Sequence, residues 1–255
     1  MSIAIDLSGR TALVTGGTGQ LGRAIVRTLG RAGADVAVHY RSDRARAEEL
    51  CAELHAMGRK AEPVSGDIGT EAGIAAIRER MAATLGMPGI VVANAVQQYT
   101  WTSVLDQPIA DFESQFRTCT VQAVLLAKAF VPAMAARGGG RLIAINTECS
   151  MQCAPGQGAY VGGKRGLDGV LRVLAREVGP QQVTVNQVAP GWMRSDKYRG
   201  EGADDQPAVD PRIALHRRGD DQDIADAVVF LASDLAGFIT GCYLPVCGGS
   251  VMPTI

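Results

Sequence analysis

The sequence lacks the long apolar runs and charge blocks that mark membrane and nucleic-acid-binding proteins. No uninterrupted apolar run approaches the roughly 20 residues that a membrane-spanning helix needs. The 25 Lys and Arg residues nearly balance the 26 Asp and Glu residues, and no basic stripe stands out. We therefore expect neither nucleic acid nor membrane as a partner, and a small molecule as the substrate.

Cysteine and histidine are also scarce. The chain has six cysteines and three histidines. Cys149 and Cys153 are four positions apart, but no histidine lies near them in the sequence, so we expect no metal site. Residues 1–10 show no charged start followed by an apolar core. These features predict a cytoplasmic protein with reduced thiols.

What the sequence does contain is enough apolar material for one large core, because 47% of its 255 residues are hydrophobic. Short apolar runs alternate with helical segments from end to end, which predicts a single domain (1–255) of the α/β class. We expect a Rossmann-like, doubly wound, seven-stranded parallel sheet with helices on both faces, and a substrate lid at 191–219. The predicted strands are 11–15, 35–40, 61–65, 90–93, 141–145, 183–188 and 243–246, and the predicted helices are 21–32, 44–57, 71–85, 111–136, 160–178 and 223–232.

A glycine-rich turn follows the first predicted strand and leads into a helix. Glycines in this place let the backbone approach a pyrophosphate, while the helix start favours its negative charge. A tight turn without a ligand is the alternative, which the position in a βαβ unit disfavours. The predicted phosphate cradle comprises Gly16, Thr18, Gly19, Gln20, Leu21 and Gly22.

Tyr40, Arg41 and Ser42 stand at the end of the second predicted strand, where an NAD-specific domain usually has an acidic residue. An arginine and a hydroxyl suit a 2′-phosphate, so we predict NADP(H) as the preferred cofactor. NAD(H) stays open because Asp43 is close enough to act as the ribose acid. Alternatively, Arg41 is a solvated residue at a helix entrance, with Ser42 or Asp43 as the N-cap.

Tyr160 and Lys164 are four positions apart in a predicted helix and therefore share one face. A positive charge beside the phenol stabilises the phenolate, so we expect Lys164 to lower the Tyr160 pKa from its ordinary value of about 10. The alternative is a surface helix on which the two residues fall four apart by chance.

Together with the glycine-rich turn, the Tyr160–Lys164 motif resembles the short-chain dehydrogenase/reductase family, and the chain is similar to its 3-oxoacyl-acyl-carrier-protein reductases and related NADPH-dependent ketoreductases. The resemblance implies that Tyr160 protonates the substrate oxygen and that Lys164 holds the nicotinamide ribose. Thr147 stands where the family has a serine that orients the carbonyl. The resemblance also implies a homotetramer and further cofactor contacts at Asp67, Ile68, Asn94, Ala95, Pro190, Gly191 and Met193.

The chain departs from the family pattern at two positions. Gln20 replaces the middle glycine of the common turn, and we expect it to narrow the turn while dinucleotide binding survives. Cys119 stands in the place of an active-site asparagine that helps to relay protons to the lysine. Cysteine cannot reproduce the amide group. Proton relay through the backbone alone, a slow enzyme, a different proton route and a buried Cys119 as plain core filler all remain open.

The predicted substrate pocket is both aromatic and polar, with Gln97, Glu148 and Trp192 in its wall. Glu148 either recognises an amine, hydroxyl or ring N–H of the substrate or is a solvated loop carboxylate. The preferred function is NAD(P)H-dependent reduction of a carbonyl or imine-like carbon in a polar or aromatic small molecule. A non-redox lyase, cyclase or isomerase that reuses Tyr160, and a nucleotide-sensing protein, are the alternatives.

Overall fold

The computed structural model describes residues 4–194, 196 and 211–253. Within these residues the fold is the predicted doubly wound α/β architecture. The predicted lid at 191–219 lies partly outside the described residues, which include only 191–194, 196 and 211–219 of this segment.

Seven parallel strands form one sheet, in the order β3-β2-β1-β4-β5-β6-β7. The central strands are apolar because both of their faces are covered, and β4 is buried throughout. The order reverses between β1 and β4, and ligands of such sheets bind at the carboxyl ends of the strands beside that reversal. The strands are β1 (Thr11–Val14), β2 (Asp35–Tyr40), β3 (Ala61–Ser65), β4 (Ile90–Ala93), β5 (Gly140–Ile145), β6 (Val183–Pro190) and β7 (Tyr243–Val246).

Helices cover both faces of the sheet and enclose two apolar clusters. One cluster lies between the sheet and the helices α1, α2 and α8, and the other lies between the sheet and α3, α5 and α7. The helices of the described residues are α1 (Gln20–Arg31), α2 (Arg44–Ala56), α3 (Glu71–Thr84), α4 (Ile109–Gln115), α5 (Gln122–Ala136), α6 (Cys149–Gln152), α7 (Gly158–Val178) and α8 (Asp221–Ala232).

The predicted helix 111–136 is not regular, because a π-helical turn, Phe116–Val121, joins α4 to α5. This turn packs closely on α7: the Thr120 hydroxyl donates to the Gly163 carbonyl oxygen (2.9 Å), and a Cβ added to Gly166 would come 2.8 Å from the Thr120 hydroxyl oxygen. The stretch Ile109–Ala136 is long and apolar enough to cross a membrane. However, α5 packs against α3, α7 and the sheet, as the core helix of a folded domain does.

Candidate active site

The glycine-rich turn connects β1 to α1 at the point where the strand order reverses. Gly16 has a φ of +62°, in the left-handed region that favours glycine. A Cβ on Gly22 would come 2.1 Å from the Gly16 carbonyl oxygen, so no larger residue fits there. No side chain caps the start of α1, and its first N–H groups can therefore face an anion. The turn has the features of a pyrophosphate cradle.

A buried polar network holds this turn against the end of β4. The Thr15 hydroxyl donates to Gln122 Oε1 (2.7 Å) and accepts from the backbone N–H groups of Asn94 (3.0 Å) and Ala95 (3.1 Å). The Asn94 side-chain amide donates to the carbonyl oxygens of Thr15 (2.9 Å) and Gly16 (3.1 Å). Asn94 and Ala95 thus lie beside the cradle and support its shape.

Arg41 and Ser42 are exposed just beyond the end of β2. The Arg41 Nη1 atom lies 3.5 Å from Gln97 Oε1. Asp43 is the N-cap of α2, since its Oδ1 accepts from the backbone N–H of Arg46 (3.0 Å). This is one of the cap arrangements considered above, and it engages the carboxylate that could otherwise have acted as the ribose acid.

The other predicted cofactor residues follow the carboxyl ends of two more strands. Asp67 lies just after β3, and its Oδ1 accepts from the Gly69 N–H (2.8 Å). Gly191 follows β6, where its N–H donates to the Val246 carbonyl oxygen (3.0 Å). The carboxyl ends of β3 and β6 thus lie at the same edge of the sheet as the cradle. Ile68 comes directly after Asp67, Pro190 is the last residue of β6, and Met193 lies two positions after Gly191.

Tyr160, Lys164 and Thr147 meet at the end of β5. Lys164 Nζ lies 5.7 Å from the centroid of the Tyr160 ring, and it donates to the Ile145 carbonyl oxygen at 2.6 Å. Thr147 and Lys164 are both buried. A hydrogen bond from Thr147 acts on the Tyr160 hydroxyl and favours a lower Tyr160 pKa. The structure therefore places the Lys164 ammonium and the Thr147 hydroxyl beside the Tyr160 phenol.

The Tyr160 pKa is raised in this structure, whereas the sequence predicted a lowered value. Burial is the largest cause and raises the Tyr160 pKa, to which Cys119 and Cys149 add. Burial also lowers the pKa of Lys164. Among the protein's own groups, desolvation of the phenol therefore dominates the Tyr160 pKa, while the Lys164 ammonium donates to the Ile145 carbonyl oxygen; the expected lowering by Lys164 together with a bound nicotinamide stays a prediction.

Cys119 lies in the π-helical turn and is 2% exposed. Burial raises the pKa of its thiol, and the positive charge of Lys164 is the largest opposing cause. Cys119 is thus both a buried core residue and an electrostatic neighbour of Lys164. Its thiol is uncharged near neutral pH.

A pocket of about 490 Å³ opens beside Tyr160 and Thr147. The three predicted substrate residues, Gln97, Glu148 and Trp192, all line it. The Trp101 ring stacks on the Tyr160 ring, with centroids 6.0 Å apart. The pocket therefore has aromatic and polar walls, as expected.

Glu148 is buried in this pocket at 6% exposure, so the interpretation as a solvated loop carboxylate is wrong. Its Oε2 accepts a hydrogen bond from the Ser250 hydroxyl, and its backbone N–H donates to the Pro190 carbonyl oxygen (2.9 Å). Sequence reasoning did not identify Ser250, which is 102 positions away and meets Glu148 only through the fold.

Gln157 is another pocket residue that sequence reasoning missed. It is the N-cap of α7, but its side chain makes no capping hydrogen bond. Its amide oxygen is buried, and no donor among the described residues bonds to it. Instead, the Tyr99 hydroxyl accepts from the backbone N–H of Tyr160 (2.8 Å) in the first turn of the helix. The position of Gln157 one turn before Tyr160 was the available sequence signal.

The Gln20 side chain makes its hydrogen bonds outside the glycine-rich turn. Its amide nitrogen donates to the Arg194 carbonyl oxygen (2.7 Å) and to Asp221 Oδ1 (2.8 Å), and its amide oxygen accepts from the Asp196 N–H (3.3 Å). The side chain thus connects the start of α1 to the segment after β6 and to the start of α8.

The Arg218 guanidinium lies 3.7 Å from the centroid of the Trp192 ring, at cation–π distance.

Over the residues that the structure describes, no group of three His, Cys, Asp or Glu side chains is arranged to hold a metal ion. The Tyr160 phenol, the Lys164 ammonium and the Thr147 hydroxyl lie close together at the end of β5 and can donate hydrogen bonds or protons there.

Known proteins are similar to this chain over nearly its whole length. A family model described as Enoyl-(Acyl carrier protein) reductase matches residues 18–250. The 3-oxoacyl-(acyl-carrier-protein) reductase of Pseudomonas aeruginosa is 34% identical, over 97% of this chain and 100% of the relative.

Two solved structures add to the likeness. One is a blue fluorescent protein from a metagenomic library in complex with NADPH, with 31% identity, a TM-score of 0.87 and coverage of 97% of this chain and 100% of that chain. The other is a 7α-hydroxysteroid dehydrogenase complexed with NADH and 7-oxo glycochenodeoxycholic acid, with 27% identity, a TM-score of 0.89 and coverage of 99% of both chains. Since the likeness extends over nearly the whole chain, the protein belongs to the short-chain dehydrogenase/reductase family and is an NAD(P)H-dependent oxidoreductase that acts on carbonyl groups.

Proposed function

We propose that the protein is an NADPH-dependent reductase of a small carbonyl compound, or of an imine-like carbon, that carries further polar groups. The observation that carries the proposal is the meeting of Tyr160, Lys164 and Thr147 at the wall of a pocket that lies at the same sheet edge as the glycine-rich turn. The reductase of Pseudomonas aeruginosa and the 7α-hydroxysteroid dehydrogenase named above are oxidoreductases, which supports a redox function over a non-redox lyase or a nucleotide sensor.

The residues at the carboxyl edge of the sheet fit a dinucleotide. The backbone of Gly16 and Gly22 leaves room only for glycine and would hold the pyrophosphate, while Lys164 would hold the nicotinamide ribose. Arg41 and Ser42 are exposed and would bind the 2′-phosphate, which supports NADPH over NADH. When bound, the nicotinamide supplies the hydride.

The protein's own residues supply the proton and the orientation. The Thr147 hydroxyl would donate to the substrate oxygen, and Tyr160 would transfer its phenolic proton to that oxygen as the hydride reaches carbon. The phenol carries its proton at neutral pH, and because burial raises the Tyr160 pKa, transfer of that proton needs a nearby positive charge that favours the phenolate. Lys164 would stabilise the phenolate that remains.

The lining of the pocket supports a polar substrate over a bare fatty chain. The Glu148 carboxylate and the Gln157 amide oxygen are acceptors for substrate O–H or N–H groups. Trp101 and Trp192 offer flat apolar surfaces. The segment 191–219 is our proposed lid over this pocket.

We also propose a cytoplasmic homotetramer. An apolar groove between α5 and α7 is lined by Val131, Pro132, Val173 and Leu174, and Val173 is more than half exposed. A second copy that placed the same helix pair there would bury this surface. Light scattering of the purified protein, and of Val173→Glu, tests this: the wild type has four times the mass of the chain and the variant has less.

The decisive experiment measures binding and turnover separately. We expect NADPH to bind more tightly than NADH in a fluorescence titration, and polar ketones and cyclic imines to cause loss of NADPH absorbance. Tyr160→Phe keeps the cofactor affinity and loses turnover by about 10²- to 10⁴-fold. Binding without turnover across a broad panel of ketones, diketones, cyclic imines and pterins would instead support a non-redox enzyme.

A further inference from the structure

We propose that His39, as the neutral tautomer with its proton on Nε2, is a positioning residue that holds the glycine-rich turn in the shape required for dinucleotide binding. The proposal rests on the proposed function in one respect: it takes the turn to be the pyrophosphate cradle.

His39 connects the turn to two strands through three hydrogen bonds. Its Nδ1 accepts from the Gly16 N–H (3.0 Å), and its backbone carbonyl oxygen accepts from the Gly17 N–H (2.7 Å). On the far side of the ring, Nε2 lies 2.9 Å from the Gly66 carbonyl oxygen at the end of β3. One side chain therefore sets the distance between the cradle and the loop that carries Asp67.

The partners determine the protonation state of the ring. A carbonyl oxygen can only accept, so Nε2 must carry the proton in its contact with Gly66. An N–H group can only donate, so Nδ1 must present its lone pair to Gly16. An imidazolium would direct an N–H at another N–H and lose the contact with Gly16. Only one of the three protonation states satisfies both neighbours.

The surroundings of His39 favour that state. The residue is 2% exposed, and burial lowers its pKa, while the Gly66 bond and the Asp67 carboxylate oppose this change. Asp67 is the charged group that acts on the ring from the loop after β3. The glycine-rich turn faces the ring with backbone groups alone, and the neighbouring Asn94 is uncharged.

Loss of the His39 ring would remove the hydrogen-bond acceptor of the Gly16 N–H in the glycine-rich turn. Gly16 already adopts φ +62°, and without Nδ1 its N–H would lose its acceptor beneath the turn. The turn would then relax toward other conformations, which weakens a site made of backbone N–H groups.

The test uses the full-length protein, with NADPH as the probe and the dissociation constant as the readout. His39→Leu removes both ring contacts, and we expect about 10-fold weaker binding near pH 8. His39→Asn places an amide oxygen near the Nδ1 position, and we expect binding within about 3-fold of the wild type. His55→Asn is the matched control, because His55 lies on α2 and its ring bonds to the Ala61 backbone, away from the glycine-rich turn, and we expect no change.

A pH series provides the second readout. Only the neutral ring supports the cradle, and burial lowers the His39 pKa, so wild-type affinity should fall only as the pH drops below the ordinary histidine pKa of about 6.5; His39→Asn lacks this protein-side loss. The titration of the NADPH phosphate itself is common to both proteins and cancels in the comparison. Histidine ¹⁵N NMR of the cofactor-free protein reads the tautomer directly and should show the proton on Nε2.

Equal NADPH affinity of His39→Leu and the wild type, or a proton on Nδ1, would overturn the proposal. If His39→Leu does not fold, the tautomer and the pH difference between the wild type and His39→Asn decide. Failure of the pyrophosphate-cradle assignment has a different signature: the wild type would not bind NADPH at all, while the tautomer of His39 could still be read. Failure of the proposed reduction alone would leave NADPH binding intact and abolish only turnover.

Discussion

The indole of Trp101 lies against the phenol of Tyr160, with an interplanar angle of 25° between the two rings. Trp101 is half exposed, whereas the phenol it covers is the group proposed to deliver the proton. The indole therefore shields one side of that phenol from water. It also offers its remaining surface to whatever enters the pocket.

We predict that Trp101→Ala lowers kcat/KM for a cyclic ketone by about 10-fold, because a stacked aromatic pair contributes roughly 0.5–1.5 kcal/mol beyond its buried area. Trp101→Phe should keep most of the activity, and the NADPH dissociation constant should not change in either variant. Leu105→Ala, at an almost fully exposed residue of the same loop, is the control. Wild-type kinetics in Trp101→Ala would show that the stacking has no role.

The raised Tyr160 pKa predicts a pH dependence of folding stability. The folded protein holds the phenolic proton more tightly than the unfolded chain, whose tyrosine pKa is about 10. The free energy of unfolding should therefore fall as the pH rises above about 10, by up to about 1.4 kcal/mol per pH unit from this group. Urea denaturation between about pH 8 and 11 should show a shallower loss in Tyr160→Phe.

The same comparison has an internal control. Burial raises the pKa of Tyr243 and of Cys51, each to about 12, and both groups are present in the two proteins. Their contributions cancel in the difference. Identical slopes in the wild type and Tyr160→Phe would mean that the phenol is not desolvated.

Two glycines allow a matched test of the cradle. We expect Gly22→Ala to lose about 3 kcal/mol of stability or more, together with NADPH binding, because its Cβ would come 2.1 Å from a backbone oxygen. Gly162→Ala, within α7, meets no atom within 4 Å and should gain up to about 1 kcal/mol. Urea denaturation and fluorescence titration measure both effects. Wild-type NADPH affinity in Gly22→Ala would contradict the tight turn.

The buried amide oxygen of Gln157 predicts selectivity for substrates that carry a donor. We expect Gln157→Met to reduce the kcat/KM ratio of a hydroxy ketone to its deoxy analogue by about 10- to 100-fold. Gln152→Met is the control, since Gln152 lines the same pocket but is exposed. An unchanged ratio in Gln157→Met would assign the amide a structural role only.

The parts of the molecule that depend on local pattern could be predicted from the sequence. The predicted strand bounds 35–40, 61–65, 90–93 and 243–246 agree with the structure, and all of these segments except 61–65 are mainly apolar runs between turn residues. Tyr160 and Lys164 share a face because both lie on α7, where helix geometry alone places residues four apart side by side.

Features that depend on distant contacts could not be predicted. The pairing of Glu148 with Ser250, the orphaned oxygen of Gln157 and the contacts of Gln20 all require the packed fold. The Tyr160 pKa moved against the expectation because desolvation is a property of the whole surroundings, whereas spacing along a helix reports only the nearby charge.

The π-helical turn at Phe116–Val121 also restricts how the length of this chain can vary. A regular helix turns about 100° and rises about 1.5 Å for each residue. Deleting one residue from the turn would therefore rotate all of α5 and move Leu126 and Phe130, both fully buried, out of the core. The number of residues in the turn Phe116–Val121 is thus restricted twice: by the buried side chains of α5, and by the position of Cys119 near Lys164.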